Sequence, residues 1–249
     1  DEERFRLYED LAGRFGTPFY AYDGDQIVSR ANHLRSLLPE AACSQLLFSF
    51  KSNPNPLVAG ELNRVGCRAD LTSPGEVLAA LEAGFDLGEA LYGGPGKSRE
   101  ELAHAIEAGI RQFSMESPED LAALSDSAED AGVTVRALIR INPSQAPKAK
   151  LAMSGVASQF GFEQSDLGVR GNRLLEGIGE AVRIVGTHIY WGTQIGEAEA
   201  LLDCFATAIE ISEQLSGELG FPLEVLNLGG GFPWPYSKQG TGPELIELR

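Results

Sequence analysis

The chain of 249 residues carries 36 Asp and Glu against 20 Lys and Arg, a formal net charge of −16. That excess excludes nucleic acid and an anionic membrane surface as expected partners. With 43% apolar residues, there is ample material for one large α/β domain or two small ones. Cys43, Cys67 and Cys204 are odd in number and lack metal-ligand spacing, so neither a disulfide framework nor a metal site is expected. No apolar run reaches membrane-span length and no signal peptide is visible, and the expectation is a soluble cytoplasmic protein.

A helical pattern over residues 5–15 (Phe5, Leu7, Tyr8, Leu11, Phe15) closes at Gly16. After a short extended segment from Thr17 to Tyr22, Asp23 is placed to cap a second helix ending near Leu38, before Pro39. A rhythm of short apolar runs and Ala/Leu/Glu-rich helices then sets in. The predicted strands are Leu47–Lys51, Cys67–Leu71, Ala90–Gly93, Gln112–Glu116, Val135–Asn142, Val182–Tyr190 and Val225–Leu228. The intervening helices include 56–65, 75–84, 98–108, 118–131 and 197–219, and 142–163 is the longest stretch without a clear element. This alternation calls for a parallel sheet with right-handed crossovers, either a (β/α)8 barrel or a doubly wound sheet. Leu245–Leu248 is too short to rank as an eighth strand.

Polar residues collect where each strand gives way to its helix, the end at which such barrels do their chemistry. Lys51 ends an apolar strand just before an Asn/Pro loop. Either it simply meets water, or desolvation makes it a free amine able to attack a carbonyl. In Asp70-Leu71-Thr72-Ser73-Pro74-Gly75-Glu76, Ser73, Pro74 and Glu76 read as a capping box. Asp70 is then either a satisfied structural carboxylate or a site residue. Gly93-Gly94-Pro95-Gly96-Lys97-Ser98 lacks nucleotide-loop spacing, and Ser98 reads as an N-cap. Arg140 ends a strand as an ion-pair partner or as a ligand for an anionic or phenolic oxygen. His188 and Tyr190 share a strand face by period two, before Gly192-Thr193. Taken alone, a strand histidine such as His188 is more often a hydrogen-bonded core residue than a catalyst. Gly229-Gly230-Gly231 follows the seventh strand, as a flexible turn or as a set of amides converging on phosphate. An amine, a phosphate cradle, an aromatic wall and a mouth-facing Asp and Arg together suit a flat phosphorylated aldehyde, which pyridoxal 5'-phosphate is.

These motifs, in this order, resemble the barrel-type (fold type III) pyridoxal-phosphate-dependent decarboxylases related to the diaminopimelate and ornithine enzymes. The resemblance runs through Thr17-Pro18-Phe19-Tyr20, Phe50-Lys51-Ser52-Asn53, Asp70 with Ser73-Pro74-Gly75-Glu76, and Met115-Glu116-Ser117. It continues through Arg140-Ile141-Asn142, Gln159-Phe160-Gly161, Gly186-Thr187-His188, Gly192-Thr193-Gln194 and Gly229-Gly230-Gly231-Phe232. It implies a Schiff base at Lys51 and phosphate held by Gly229, Gly230, Gly231 and Thr193. It also implies Arg140 near the phenolic oxygen, Asp70 near the Schiff base, and decarboxylation of an amino acid. His188 matches the first histidine of the family's His-x-His segment, whereas Tyr190 stands where the second, ring-stacking histidine is usual. That variant points to a secondary-metabolism relative, acting on a free amino acid or on an aminoacyl group tethered to a carrier protein. The family's eighth strand with its acidic residue and its C-terminal β-domain are not visible. A first segment (1–45) leading into a barrel domain (46–249), truncated from a longer homodimeric protein, is therefore expected. The alternatives are an amino-acid racemase and a non-enzymatic single-barrel pyridoxal-phosphate homeostasis protein.

Overall fold

The computed structural model describes residues 2–39, 44–144, 160–176, 178–195 and 197–233. Side-chain caps set where most of its helices begin. Asp23 Oδ1 accepts from the Gln26 amide at 3.1 Å and opens α2 (Gly24–Ser36), behind α1 (Glu2–Phe15). Asn55 caps α3 (Pro56–Arg64), Ser73 caps α4 (Pro74–Glu82) and Ser117 caps α6 (Pro118–Asp130), each with proline in the first turn, where a missing N–H costs nothing. Ser98 and Glu101 complete a reciprocal capping box on α5 (Arg99–Glu107). The box expected at Ser73 is half formed. Ser73 Oγ accepts from the Glu76 amide, but the Glu76 carboxylate reaches one residue further back, to the Thr72 amide (2.8 Å) and hydroxyl. Thr72 offers that carboxylate two donors where Ser73 would offer one.

The strands are β1 (Leu47–Ser49), β2 (Arg68–Leu71), β3 (Leu91–Tyr92), β4 (Gln112–Met115), β5 (Val135–Asn142), β6 (Phe162–Glu163), β7 (Val182–Ile189) and β8 (Val225–Asn227). All pair in parallel in the order β1-β2-β3-β4-β5-β7-β8, with the two-residue β6 attached to β5. Strand order follows chain order without reversal, so right-handed crossovers put every helix on the same face. This is an α/β barrel of the (β/α)8 type, open between β1 and β8 among the described residues. All seven predicted strands exist; several end earlier than expected. Ser49 closes β1, and Phe50–Ser52 winds into a single 3-10 turn, so Lys51 lies beyond the strand. The candidate strand Leu245–Leu248 lies outside the described residues.

The stretch from 142 to 163 contains β6, followed by α7 (Gln164–Leu174), which the sequence reading passed over. Helix α7 carries Gly168 and Gly171, each costing a helix about 1 kcal/mol relative to alanine. A Cβ on Gly171 would sit 2.4 Å from a terminal methyl of Leu219 on α8 (Ala198–Leu219), which would have to shift to admit it. At Gly186 the neighbour is backbone. The β5–β7 register slips by one residue between Ala137↔Ile184 and Leu138↔Gly186, and a Cβ on Gly186 would meet the Val225 carbonyl at 1.8 Å.

Alternation divides each strand between two faces. The outer residues Phe50, Ala69, Leu71, Tyr92, Phe113, Met115, Ala137 and Ile139 pack beneath the helices in the main core. The inner face holds a small apolar layer of Leu91, Leu138 and Val185, flanked by Leu47 and Val225. One step toward the C-terminal strand ends, that face becomes polar.

Candidate active site

The polar layer is set by period two. From Leu47, Arg68, Leu91, Gln112, Leu138 and Val225, the next inward positions are Ser49, Asp70, Gly93, Ser114, Arg140 and Asn227. Register joins them: Ser49 opposes Asp70, Arg140 opposes His188, and His188 opposes Asn227. Gly93 leaves room at the centre, since a Cβ there would touch Asp70 Oδ1 and Ser114 Cβ, both at 3.9 Å. Ser114 Oγ and His188 Nδ1 lie 2.8 Å apart. Arg140 Nη1 donates to Glu116 Oε1 at 2.8 Å, and its guanidinium sits 4.9 Å from the centre of the Phe160 ring.

The electrostatics show which groups share this space. Burial raises the Asp70 carboxyl above its ordinary value, Ser49 and Lys51 pull it back, Glu76 raises it and Arg140 lowers it. Ser49 Oγ is sealed from solvent without a well-formed hydrogen bond of its own. Burial, helped by the charges of Arg140, Lys51 and Lys97, pushes His188 down to about 3, so its imidazole is neutral at physiological pH. The charges of Lys51 and Arg140 therefore both reach Asp70 and His188, and register sets Arg140 beside His188. Lys51 itself is exposed. Of the two readings open from the sequence, Lys51 meets water, because the 3-10 turn carries it beyond the end of the apolar strand.

The glycine loop lies against the segment after β7. A Cβ on Gly229 would meet the Tyr190 ring at 2.9 Å, and one on Gly231 would meet the Gly192 carbonyl at 2.7 Å. Both glycines have left-handed φ (70° and 99°), a conformation side-chain-bearing residues avoid. Ile195 N–H donates to the Gly231 carbonyl at 3.0 Å and closes the contact. The three amides are not equivalent: Gly229 N–H already donates to Asn227 Oδ1 at 2.9 Å, while nothing lies within 4 Å of a Cβ on Gly230. Tyr190 is 40% exposed. Thr193 is exposed in the turn after Gly192, and among the described residues no hydrogen bond ties it to Lys51, Asp70 or His188.

Ser49, Ser114, Glu116, Lys97 and Asp120 were not singled out as site residues from the sequence. Period two from Phe113 and Met115 would have placed Ser114 and Glu116 on the inner face. Lys97 carried no such signal. Its amine donates to Asp120 Oδ2 at 2.9 Å and to the Gly94 carbonyl, with only 2% of the side chain exposed. Gln159 lies outside the described residues. Among the described residues no cluster of His, Cys, Asp and Glu could hold a metal ion, and no helix is long and apolar enough to cross a membrane.

A parallel barrel with an amine, a carboxyl, an imidazole and a guanidinium gathered at its C-terminal strand ends defines a class of ligand-binding α/β enzymes. The chain belongs to the pyridoxal-dependent decarboxylase family, whose pyridoxal binding domain matches residues 24–246. It is 34% identical over 233 residues to the L-glutamyl-[BtrI acyl-carrier protein] decarboxylase of Niallia circulans, covering 91% of this chain and 52% of that protein. It is 30% identical over 245 residues to the diaminopimelate decarboxylase of Aquifex aeolicus, covering 96% and 56%. The crystal structure of diaminopimelate decarboxylase from M. jannaschii superposes with a TM-score of 0.85 at 28% identity, over 96% of this chain and 56% of that one. The chain thus spans about half the length of the curated relatives it matches.

The residues present fit pyridoxal phosphate. The charge of an exposed amine reaches a carboxyl and a neutral imidazole at the strand ends, and two glycines hold a turn that side chains would block. Of four buried side-chain atoms without partners among the described residues, Ser49 Oγ and Glu116 Oε2 lie at or just beyond these strand ends, while Trp191 Nε1 sits in the main core and Arg136 Nε at the opposite end of β5.

Proposed function

We propose that this chain is the cofactor-binding barrel of a pyridoxal-phosphate-dependent amino-acid decarboxylase, a carbon–carbon lyase, with residues 1–45 leading into a barrel domain over 46–249. The observation that carries this reading is the gathering of Asp70, Arg140 and His188 at the C-terminal strand ends, with Lys51 in the turn just beyond β1, in a chain of this family. Bound pyridoxal phosphate supplies an aldehyde that captures a substrate amine and a ring that draws electron density from the bond to the departing carboxylate.

In this reading Lys51 would hold the cofactor through its amine. Asp70, with its carboxyl raised by burial, would exchange a proton beside it. Arg140, fixed by Glu116, would meet the phenolic oxygen, and the half-exposed Tyr190 would stack on the ring in place of a histidine. Gly229 shapes the turn in which the amides of Gly230 and Gly231, with the Thr193 hydroxyl, would hold phosphate. The substrate is a free amino acid or an aminoacyl group on a carrier protein. The relative at 34% identity, named for a glutamyl group on an acyl-carrier protein, supports the second, and a role in secondary metabolism is part of the same proposal. A cytoplasmic homodimer completes the proposal.

The test is to incubate the 249-residue chain with pyridoxal phosphate, reduce with borohydride, and map the adduct by mass spectrometry. The adduct is expected on the peptide containing Lys51 and absent in Lys51→Ala. Equal labelling of Lys51→Ala, or an adduct confined to another lysine, would overturn the assignment. Release of labelled carbon dioxide from free and carrier-linked amino acids then separates the two substrate classes.

A further inference from the structure

The contact between Ser114 and His188 crosses an entire strand. Ser114 lies on β4 and His188 on β7, with β5 between them. Two strand spacings amount to about 10 Å on a flat sheet, so the 2.8 Å approach of Oγ to Nδ1 exists only because the sheet curls inward at this level. Ser114 is 1% exposed, and among the described residues its hydroxyl has no other hydrogen-bond partner than this imidazole. His188 likewise makes no second side-chain hydrogen bond among them, and its ring is half-buried.

This geometry decides the direction of the bond. If Nδ1 carried the proton and donated to Oγ, the serine O–H would be a buried donor with nothing to bond to, which is costly. If serine donates to Nδ1, its proton is satisfied, and a neutral imidazole must carry its own proton on Nε2. We propose that Ser114 is a positioning residue: its hydroxyl donates to His188 Nδ1, locks the ring as the Nε2–H tautomer, and so gives the barrel mouth a fixed, uncharged N–H donor. The group it would meet is an oxygen acceptor of the bound ligand, a carboxylate or carbonyl oxygen. Only this last step rests on the function proposed above; the tautomer does not.

The sequence contains three histidines, His33, His104 and His188, so ring-¹⁵N histidine labelling of the cofactor-free 249-residue chain gives three imidazoles to resolve. His188→Asn identifies the resonances of His188. Long-range ¹H–¹⁵N correlation at neutral pH is expected to show Nε2 protonated and Nδ1 accepting. Ser114→Ala should shift the tautomer ratio about fivefold toward Nδ1–H, the effect of one ordinary hydrogen bond. Ser114→Thr, which keeps the hydroxyl, should restore the wild-type pattern. An Nδ1–H tautomer in the wild type, or an unchanged ratio in Ser114→Ala, would overturn the proposal. If Ser114→Ala does not fold, Ser114→Cys decides in its place. Its weaker donor should give an intermediate ratio, and a wild-type ratio there counts against the proposal. Failure of Lys51 labelling with the Nε2–H tautomer intact would sink the proposed function and leave the Ser114 assignment standing. The opposite pair of results would do the reverse.

Discussion

At residue scale, His188 links the electrostatics of the mouth to the stability of the fold. In the folded chain it takes up a proton only near pH 3, against the ordinary histidine value of 6.5. Between those limits the unfolded chain binds more protons, so stability rises with pH across the window and is flat above it. The slope is at most about 1.4 kcal/mol per pH unit. Denaturant unfolding at pH 5 and pH 7 should show the wild type losing about 2 kcal/mol more on acidification than His188→Asn. Equal losses would mean that His188 is not held neutral. Asp70, raised by burial, opposes this trend above its unfolded value, and it does so in both proteins, so the comparison isolates His188. Sequence reasoning reached Lys51, Asp70, Arg140 and His188 because each is polar at the end of an apolar run. It did not reach Ser114 or Ser49: a small hydroxyl residue in a strand gives no signal until its partner on another strand is known.

At the scale of elements, the buried pair Lys97–Asp120 fastens the loop after β3 to the first turn of α6. The lysine side chain is 2% exposed and the aspartate 14%. Asp120 Oδ2 also accepts from the Glu116 amide at 3.2 Å, and Glu116 in turn holds Arg140. One element thus steadies the backbone of the residue that fixes a mouth cation. Removing one member of a buried pair leaves an uncompensated charge, so Lys97→Met should cost about 3–5 kcal/mol in chemical denaturation. Adding Asp120→Asn, which keeps an acceptor for the Glu116 amide, should return part of that loss. A double-mutant cycle with coupling below about 0.5 kcal/mol would show that the pair does not act as a unit. Element positions were largely legible, because strand and helix periods alternate cleanly from Leu47 onward. The exceptions have local causes. Two glycines masked α7, and a 3-10 turn replaced the end of the strand expected at Lys51.

At the scale of the whole molecule, stability is concentrated in the barrel. Helix α1 buries none of its residues: Phe5 is 64% exposed and Phe15 69%, and its ion pair to the rest of the chain, Arg4–Asp23, is itself half exposed. Exposed pairs contribute little, so deleting residues 1–16 should move the thermal midpoint by no more than about 2 °C. A fall beyond about 4 °C would show that α1 supports the barrel. The sequence by itself determined the parallel α/β architecture, the strand-end placement of the candidate residues and the family resemblance, because these follow from local periodicity, caps and residue types at fixed offsets. Only the tertiary structure decided how Lys51 meets its surroundings: exposed on a 3-10 turn, with its charge, like that of Arg140, reaching Asp70 and His188. It alone also committed the Gly229 amide to Asn227 and brought Ser114 to His188 across β5. Those outcomes depend on the curl of the sheet and on which strands become neighbours, and a contact such as Ser114–His188, 74 positions apart, leaves no periodic trace in the chain.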